Sequence, residues 1–353
     1  MPPSRPRRVL IITSAAQNHT KICLSQVRRL GKGLVRLGHD VACFDYRSAL
    51  MEASPIKSKA FARWFCKPEA NRQLVRYARA YEPQIIVVGF PRDLDPDCVD
   101  QIREAVPAAT LVGMDGDPWP DRVEGRIATG AKLDIVTATN NGDFLDLYRR
   151  AGAPVCCFLP NMCDPLVEYR YSASDEWRSD LLWTGKTGHD DSRSDPLRGQ
   201  IVGDLAARKN ARLYGCLGRP HISGIDYLRA ISGAKIGVSV NAINTVPLYH
   251  SDRLTLYAAC GTLVLAKRVP FSDVLFEDSV HVKYFDTAEE FSDLADWYLK
   301  HEEERSRIAM AGMERAHTEF NGIKMAGYLL ELVDRGSYQA PWSQALSTAP
   351  GCA

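Results

Sequence analysis

The chain has 353 residues, which at about 150 residues per domain indicates two domains. Hydrophobic residues make up 45% and charged residues 25%, which are the proportions of a globular protein rather than a disordered one. Its 44 Lys and Arg residues balance 43 Asp and Glu residues, and the resulting net charge of +1 argues against a duplex-binding protein, which usually carries a basic excess.

The sequence shows no pattern typical of secretion, membrane insertion or a structural zinc site. The apolar run at residues 9–13 is too short and too early for a signal peptide, and no run of 18 apolar residues occurs. The ten cysteines form no CxxC pair. We therefore expect a cytoplasmic protein, with at most a weak attraction of Arg5, Arg7 and Arg8 to the inner face of the membrane.

Short apolar runs alternate with longer amphipathic stretches, which is the pattern of a parallel sheet covered by helices. The run at 8–14 contains the continuous apolar stretch 9–12 and predicts a buried strand, and the helix after it ends at Gly38. Strands of the first half are predicted at residues 8–14, 39–46, 84–90, 110–115, 133–139 and 155–159. Helices are predicted at residues 20–38, 58–81, 95–106 and 143–151.

Residues 161–180 interrupt this alternation with prolines, serines and charges, and predict a linker between domains. The alternation then restarts. Strands of the second half are predicted at residues 181–184, 211–214, 236–240, 262–266 and 281–285, and helices at 196–209, 224–232, 252–260, 288–318 and 322–333. We predict an α/β fold with two Rossmann-like, doubly wound parallel sheets that face a cleft, with domains at 1–165 and 166–338 and a loose tail at 339–353.

Ligands of open parallel sheets bind beyond the carboxyl ends of the strands, where loops and helix N-termini meet. The loop after the first strand carries Asn18 and His19 but lacks GxGxxG, which disfavours NAD or FAD as a cofactor. A small polar loop suits contacts to a sugar or an acceptor. The alternative is that these residues only cap the following helix.

Gly185 and Lys186 follow the first strand of the second half. Their segment ends like a phosphate loop, but Asp180 stands where that pattern requires glycine. Backbone N–H groups and an ammonium at this place could still hold a diphosphate. The alternative is a flexible turn with a surface lysine.

Arg253 is predicted in the first turn of a helix, where the positive helix end disfavours a cation unless it faces an anion. Asn241 and the polar segment 244–250 precede it as a loop after a strand. The alternative is a structural ion pair of Arg253 with Asp252 or Asp226.

Asp115 and Asp117 follow a strand of the first half on a tight Gly/Pro loop. Carboxylates at this place are candidates for a general base or for hydrogen bonds to sugar hydroxyls. Asp-Gly and Asp-Pro also form ordinary turns, and no third acidic residue of the motif completes a metal site. Four histidines lie in loops after strands, and we expect one of them to contact substrate: His19, His189, His221 and His250.

An ordered set of segments in the second half resembles one family. The set comprises residues 155–165, 181–185, 236–241, 252–253, 259–262 and 308–318. Together they resemble a glycosyltransferase of the two-Rossmann GT-B fold, similar to the CgeB-like spore-maturation group. The resemblance implies a nucleotide-sugar donor in the second domain and an acceptor in the first.

By this resemblance, Arg253 and Lys186 contact the donor diphosphate, and Gly185 and Gly261 let the backbone approach it. The implied donor site comprises Gly185, Lys186, Asn241, His250, Arg253, Tyr257, Gly261 and Thr262. Many relatives carry a glutamate for the ribose three residues after this arginine, where this chain has Leu256. Tyr257 or a residue of 244–250 is then expected to replace it, or the nucleotide differs.

The sequence therefore predicts a cytoplasmic, metal-independent glycosyltransferase that moves a sugar from a nucleotide-sugar to a glycan or lipid-linked acceptor, with no other cofactor. Asp115 or Asp117 would be the base, and Asn18 and His19 would bind the acceptor. The alternatives are a nucleotide-sugar epimerase or hydrolase of the same fold, and a two-lobed binding protein without chemistry.

Overall fold

The computed structural model describes residues 5–13, 25–56, 58–116, 124–187 and 194–343, and the chain divides into two compact units. Unit 1 comprises Met1–Leu159 and Gly322–Ala340. Unit 2 comprises Pro160–Asn321 and Pro341–Ala353. Each unit contains one parallel sheet with helices between its strands, so the predicted α/β class with two Rossmann-like sheets is confirmed.

The sheet of unit 1 has the strand order β2-β1-β3-β4-β5-β6, and every neighbouring pair is parallel. Its strands are β1 (Arg8–Thr13), β2 (Asp40–Asp45), β3 (Ile85–Val88), β4 (Thr110–Asp115), β5 (Ile135–Ala138) and β6 (Val155–Phe158). Its helices are α1 (Gln26–Arg36), α2 (Tyr46–Glu52), α3 (Lys59–Phe65), α4 (Lys67–Tyr81), α5 (Pro96–Ala105), α6 (Glu124–Gly130), α7 (Asp143–Arg150) and α13 (Gly322–Arg335). The central strand β3 is buried at every position because helices cover both faces of the sheet.

The sheet of unit 2 has the order β11-β10-β9-β7-β8 and is also parallel throughout. Its strands are β7 (Ser179–Thr184), β8 (Ala211–Tyr214), β9 (Ala234–Ser239), β10 (Leu263–Lys267) and β11 (Lys283–Phe285). Its helices are α8 (Pro196–Ala207), α9 (Gly224–Gly233), α10 (Asp252–Ala259), α11 (Ala288–Lys300) and α12 (Glu302–Glu319). The carboxyl ends of these strands therefore lie together along one edge of the sheet.

The last helix of the chain belongs to the first unit. Helix α13 packs against α1, and a Cβ atom added at Gly33 would lie 1.9 Å from the carbonyl oxygen of Gly322. Arg7 and Asp334 form an ion pair of 2.6 Å, and the Tyr338 hydroxyl donates to the Phe158 carbonyl at 2.5 Å. The predicted placement of 322–338 in the second domain is thus wrong. The chain returns to unit 1 here, and sequence order does not reveal that α13 packs against α1.

Two further predictions differ from the structure. The change of unit occurs at Pro160, a few residues before the predicted boundary at 165. The tail was expected to be loose from residue 339, yet Trp342 is fully buried and its ring stacks on Phe320 with the centroids 5.4 Å apart. A large aromatic ring that finds an apolar contact is ordered by the surface that it buries.

Candidate active site

The end of β7 brings two arginines to one glycine. Gly185 follows β7 with a φ of +131°, a backbone conformation that favours glycine. A Cβ atom at this position would lie 3.0 Å from Nη1 of Arg253 and 3.5 Å from Nη2 of Arg198. The Trp183 indole N–H donates to the Gly185 carbonyl at 2.9 Å and holds the turn in place.

Arg253 donates hydrogen bonds to backbone carbonyls at the carboxyl ends of two strands, β7 and β9. Its Nη1 donates to the Thr184 carbonyl at 2.9 Å, its Nη2 to the Val240 carbonyl at 2.7 Å, and its Nε to the Ser251 hydroxyl at 3.1 Å. Its side chain is 8% exposed. A guanidinium has five N–H groups, so three of them are used within the described residues and two stay available at Gly185.

Arg198 is the second cation at this place and was missed in the sequence analysis. Its Nε donates to the Lys186 carbonyl at 2.9 Å, and its guanidinium carbon lies 5.3 Å from the centre of the Trp183 ring, over which Arg253 also lies at 4.6 Å. Burial, reinforced by the charge of Arg253, lowers the pKa of Arg198 to about 9. The sequence pattern that indicates Arg253 also indicates Arg198, because Arg198 occupies the first turn of α8 just as Arg253 occupies the first turn of α10.

The two guanidiniums repel each other at the positive ends of two helices, an arrangement that a bound anion would relieve. Among the described residues, Arg253 forms no ion pair with either partner of the predicted alternative, Asp252 or Asp226, and Asp226 pairs with Arg229 at 3.1 Å. Lys186 is exposed next to Gly185. Gly185, Lys186 and Arg253 are therefore together, as predicted for a diphosphate site.

Asn241 and Tyr257 support this site from within the protein. The Asn241 carboxamide accepts from the Ser251 N–H at 2.8 Å and donates to the Tyr249 carbonyl at 3.0 Å, which fixes the loop before α10. The Tyr257 hydroxyl lies 2.7 Å from the Thr184 hydroxyl, and the ring is fully buried against Gly237. Both side chains were predicted to contact the sugar donor. In the structure, their polar atoms form hydrogen bonds to other residues of unit 2.

His250 is buried with both ring nitrogens engaged. Nδ1 lies 3.3 Å from the Leu248 carbonyl, which makes it the donor, and Nε2 lies 3.2 Å from the Thr255 hydroxyl. Burial lowers the pKa of His250 to about 4. The imidazole is therefore neutral at pH 7 and offers no free nitrogen to the donor contact that the sequence predicted.

Gly261 and Thr262 lie away from Gly185. They directly precede β10, so they lie at the amino ends of the parallel strands, whereas Gly185 lies at the carboxyl ends. The Thr262 hydroxyl donates to the Ile231 carbonyl at 2.6 Å. Their predicted place in the donor site is wrong, because the helix–turn–strand segment carries them along α10 to the opposite edge of the sheet.

Asp115 of unit 1 lies in a buried ion pair. Its Oδ2 accepts from Nε of Arg126 at 2.9 Å and from the Tyr148 hydroxyl at 2.6 Å, and both charged side chains are buried. A general base needs an oxygen that faces the substrate, so this position differs from the one expected for a catalyst. The other residues predicted for this unit, Asp117, Asn18 and His19, lie outside the described residues.

The carboxyl edge of unit 1 holds two further features. Asn140, two residues after β5, is fully buried, and neither atom of its carboxamide has a hydrogen-bond partner. A cavity of about 830 Å³ lies beyond β1, β2 and β3, and four basic side chains contribute to its wall: Arg47, Arg63, Lys67 and Arg92. Trp64 also lines this cavity and is 81% exposed.

Comparisons with known proteins agree on one fold. Residues 192–331 match the family described as "Glycosyl transferase-like". Sucrose-phosphate synthase from Thermosynechococcus elongatus is similar over 93% of this chain and 98% of its own, with 14% identity and a TM-score of 0.64. HepE of Anabaena, solved with UDP-glucose, is similar over 93% and 99%, with 12% identity and a TM-score of 0.61.

A glycosyltransferase from Rickettsia africae is similar over 93% of this chain and 98% of its own, with 10% identity and a TM-score of 0.56. The comparison with curated proteins finds no match. The chain therefore has the GT-B fold, and its residues 192–331 are similar to a glycosyl transferase-like family.

The matched segment includes Arg198 and Arg253 but begins after Gly185 and Lys186. The narrower resemblance to the CgeB-like group stays a prediction. In the ranges that the structure describes, no group of three His, Cys, Asp or Glu side chains could hold a metal ion. No helix in these ranges is both long and apolar enough to span a bilayer.

Proposed function

We propose that this enzyme transfers a sugar from a nucleoside-diphosphate sugar to a hydroxyl group of an acceptor, without a metal ion. The observation that carries the proposal is the pair of buried guanidiniums at Gly185. Two cations of this kind repel each other, and a diphosphate between them would neutralise both.

The residues at Gly185 suit the leaving group of such a transfer. The absent side chain of Gly185 lets a phosphate approach the free N–H groups of Arg253 and the Nη groups of Arg198, and Lys186 lies next to them. Negative charge grows on the diphosphate as the sugar–phosphate bond breaks, and fixed cations stabilise it there. The structure of Anabaena HepE with UDP-glucose supports a UDP-sugar as the first donor to test.

Unit 1 is proposed to bind the acceptor, a glycan or a lipid-linked sugar. Its cavity combines basic side chains with the exposed ring of Trp64, which suits an acceptor that carries an anionic group beside an apolar one. We assign the base that takes the acceptor proton to Asp117, since Asp115 is held by Arg126. The proposed location is the cytoplasm, at or near the inner face of the membrane.

Binding of UDP by calorimetry tests the donor site. Arg198→Ala is expected to weaken binding about tenfold or more, because it removes charge-assisted hydrogen bonds to the diphosphate. Arg229→Ala is the matched control, since this exposed arginine of the same unit pairs with Asp226 and with no other acidic residue in the part of the chain that the structure describes. Equal UDP affinity of Arg198→Ala and the unchanged enzyme would contradict the proposal.

Product analysis separates transfer from the alternatives. Incubation with a UDP-sugar alone is expected to leave the sugar intact, and release of UDP should require an added acceptor. Formation of an epimer or of free sugar without acceptor would instead support the epimerase or hydrolase.

A further inference from the structure

A large cavity of unit 2 lies at the edge of the sheet opposite to Gly185. It has a volume of about 990 Å³, and the amino ends of β7, β8 and β9 form its floor. The segment 170–173 and the first turns of α12 form its walls. Strand β7 alone has six residues and thus separates this cavity from Gly185 by roughly 15–20 Å, at about 3.3 Å per residue.

The wall of this cavity carries a large excess of positive charge. Its carboxylates are Asp180 and Glu302. Its cationic side chains are Arg170, Arg178, Lys209, Arg212, Lys235 and Arg305. The charge of the whole chain is nearly balanced, so this local excess is a property of the cavity and not of the composition.

Part of this charge is already neutralised inside the protein. Lys235 pairs with Asp180 at 2.7 Å, and Arg305 donates to the Tyr298 carbonyl at 2.6 Å and lies 3.7 Å from Glu302. Arg170, Lys209 and Arg212 form no ion pair with any of the described residues. Three cations of one cavity wall are therefore available to a ligand.

A buried hydroxyl beside the same cavity has no hydrogen-bond partner. Ser179, the first residue of β7, is 8% exposed, lines the cavity, and its Oγ makes no hydrogen bond. A buried hydroxyl without a partner costs about 1–3 kcal/mol, so native proteins rarely keep one without a reason. A phosphate oxygen is an acceptor that this hydroxyl could satisfy.

Gly261 leaves room for the side chain of Arg170 at the cavity wall. A Cβ atom at Gly261, which has a φ of +70°, would lie 3.3 Å from Cδ of Arg170. The Cys-Gly turn that the sequence analysis assigned to the donor thus lines this other cavity and makes room for Arg170.

We propose that this cavity is a second anion-binding site, which takes a small phosphorylated molecule with two or more negative charges. The volume agrees with the roughly 300–1,000 Å³ of sites for small molecules. Arg170, Lys209 and Arg212 bind the phosphate groups, and the Ser179 hydroxyl donates to one phosphate oxygen. The site is separate from the proposed donor site and does not depend on it.

Calorimetric titration with inorganic pyrophosphate tests this proposal, in the Arg198→Ala background so that the donor site contributes little. Arg170→Ala with Arg212→Ala is expected to weaken the remaining binding tenfold or more. Lys300→Ala with Arg229→Ala removes the same charge elsewhere in unit 2 and should leave it unchanged. Equal affinity of both double variants overturns the proposal, and so does a lack of pyrophosphate binding in the Arg198→Ala background.

Ser179→Ala distinguishes a ligand contact from a structural role. Removal of an unpartnered hydroxyl should leave the melting temperature unchanged or raise it, while pyrophosphate affinity falls severalfold. A lower melting temperature with unchanged affinity would contradict the assigned contact. A sugar phosphate, a nucleoside triphosphate and a phosphorylated oligosaccharide, titrated separately, then identify the source of the phosphate.

Discussion

His250 shows how burial fixes one protonation state. Its pKa is lowered from 6.5 to about 4 by burial, so the unfolded chain binds a proton more readily than the folded one. The contribution of this residue to the free energy of unfolding is therefore complete above pH 6.5 and is lost as the pH falls toward 4.

From pH 7 to pH 5, this contribution falls by about 2 kcal/mol. We expect urea unfolding of the unchanged protein to show this loss, and His250→Gln to show correspondingly less of it. The difference between the two proteins isolates His250 from other titrating groups. Identical changes in both would mean that the imidazole does not titrate below its ordinary range.

Asp115 and Asp146 allow the contribution of a buried ion pair to stability to be compared with that of a half-exposed one. Asp115→Asn leaves the guanidinium of Arg126 buried without its counter-charge and should lower the free energy of unfolding by about 3 kcal/mol. Asp146→Asn breaks the half-exposed pair with Arg149 and should cost less than about 1 kcal/mol.

Denaturant unfolding of both variants measures these values. Equal effects would show that Asp115 is not committed to Arg126, and would restore it as a candidate base. A stable Asp117→Asn variant without transferase activity would support the assignment of the base to Asp117.

The contact between α1 and α13 depends on glycine. A methyl group at Gly33 would overlap the backbone of Gly322, which no side-chain rotation can relieve. Gly33→Ala should therefore lower the free energy of unfolding by about 1–3 kcal/mol. Gly327→Ala in α13 meets no atom within 4 Å and should be neutral or slightly stabilising, as alanine favours helix.

Thermal unfolding of the two alanine variants checks this expectation. A Gly33→Ala protein as stable as the Gly327→Ala protein would show that α1 and α13 can move apart at no cost.

Element types were largely predictable from the sequence, whereas element ends and packing partners were not. Every strand of both sheets was predicted, most clearly the central strands such as β3, which are apolar on both faces because helices cover them on both sides. The helix predicted at 58–81 is two helices that meet at Cys66, since Pro68 fits only the first turn of α4. Helix α6 was missed, because its short segment around Arg126 has no clear apolar period.

The candidate site was predictable where a residue stands directly at a strand end. Gly185 and Lys186 fulfil that rule, whereas Arg198 and Arg253 reach the same place from the first turns of α8 and α10. Asn241, His250 and Tyr257 lie near the same edge, but burial turns their polar atoms inward. Hydrophobic pattern alone does not reveal whether a polar side chain near a strand end faces solvent or protein.

The molecule consists of two compact units, and each unit is built from two separate stretches of the chain. Native-state hydrogen exchange in mild denaturant should therefore protect α13 together with α1 and β1 of unit 1. Gly33→Ala should accelerate exchange in these elements and leave β7 and β9 unaffected. Exchange of α13 in step with its chain neighbour α12 would contradict the division.

The return of α13 to unit 1 has a consequence for synthesis on the ribosome. Domains of most nascent chains fold in order as they emerge, but the surface of α1 that receives α13 stays uncovered until residue 322 has left the tunnel. Unit 2 can reach Asn321 before unit 1 is complete. The half that is translated first therefore waits for a helix that is made after most of unit 2, and a polypeptide released before residue 322 would leave the face of α1 around Gly33 uncovered.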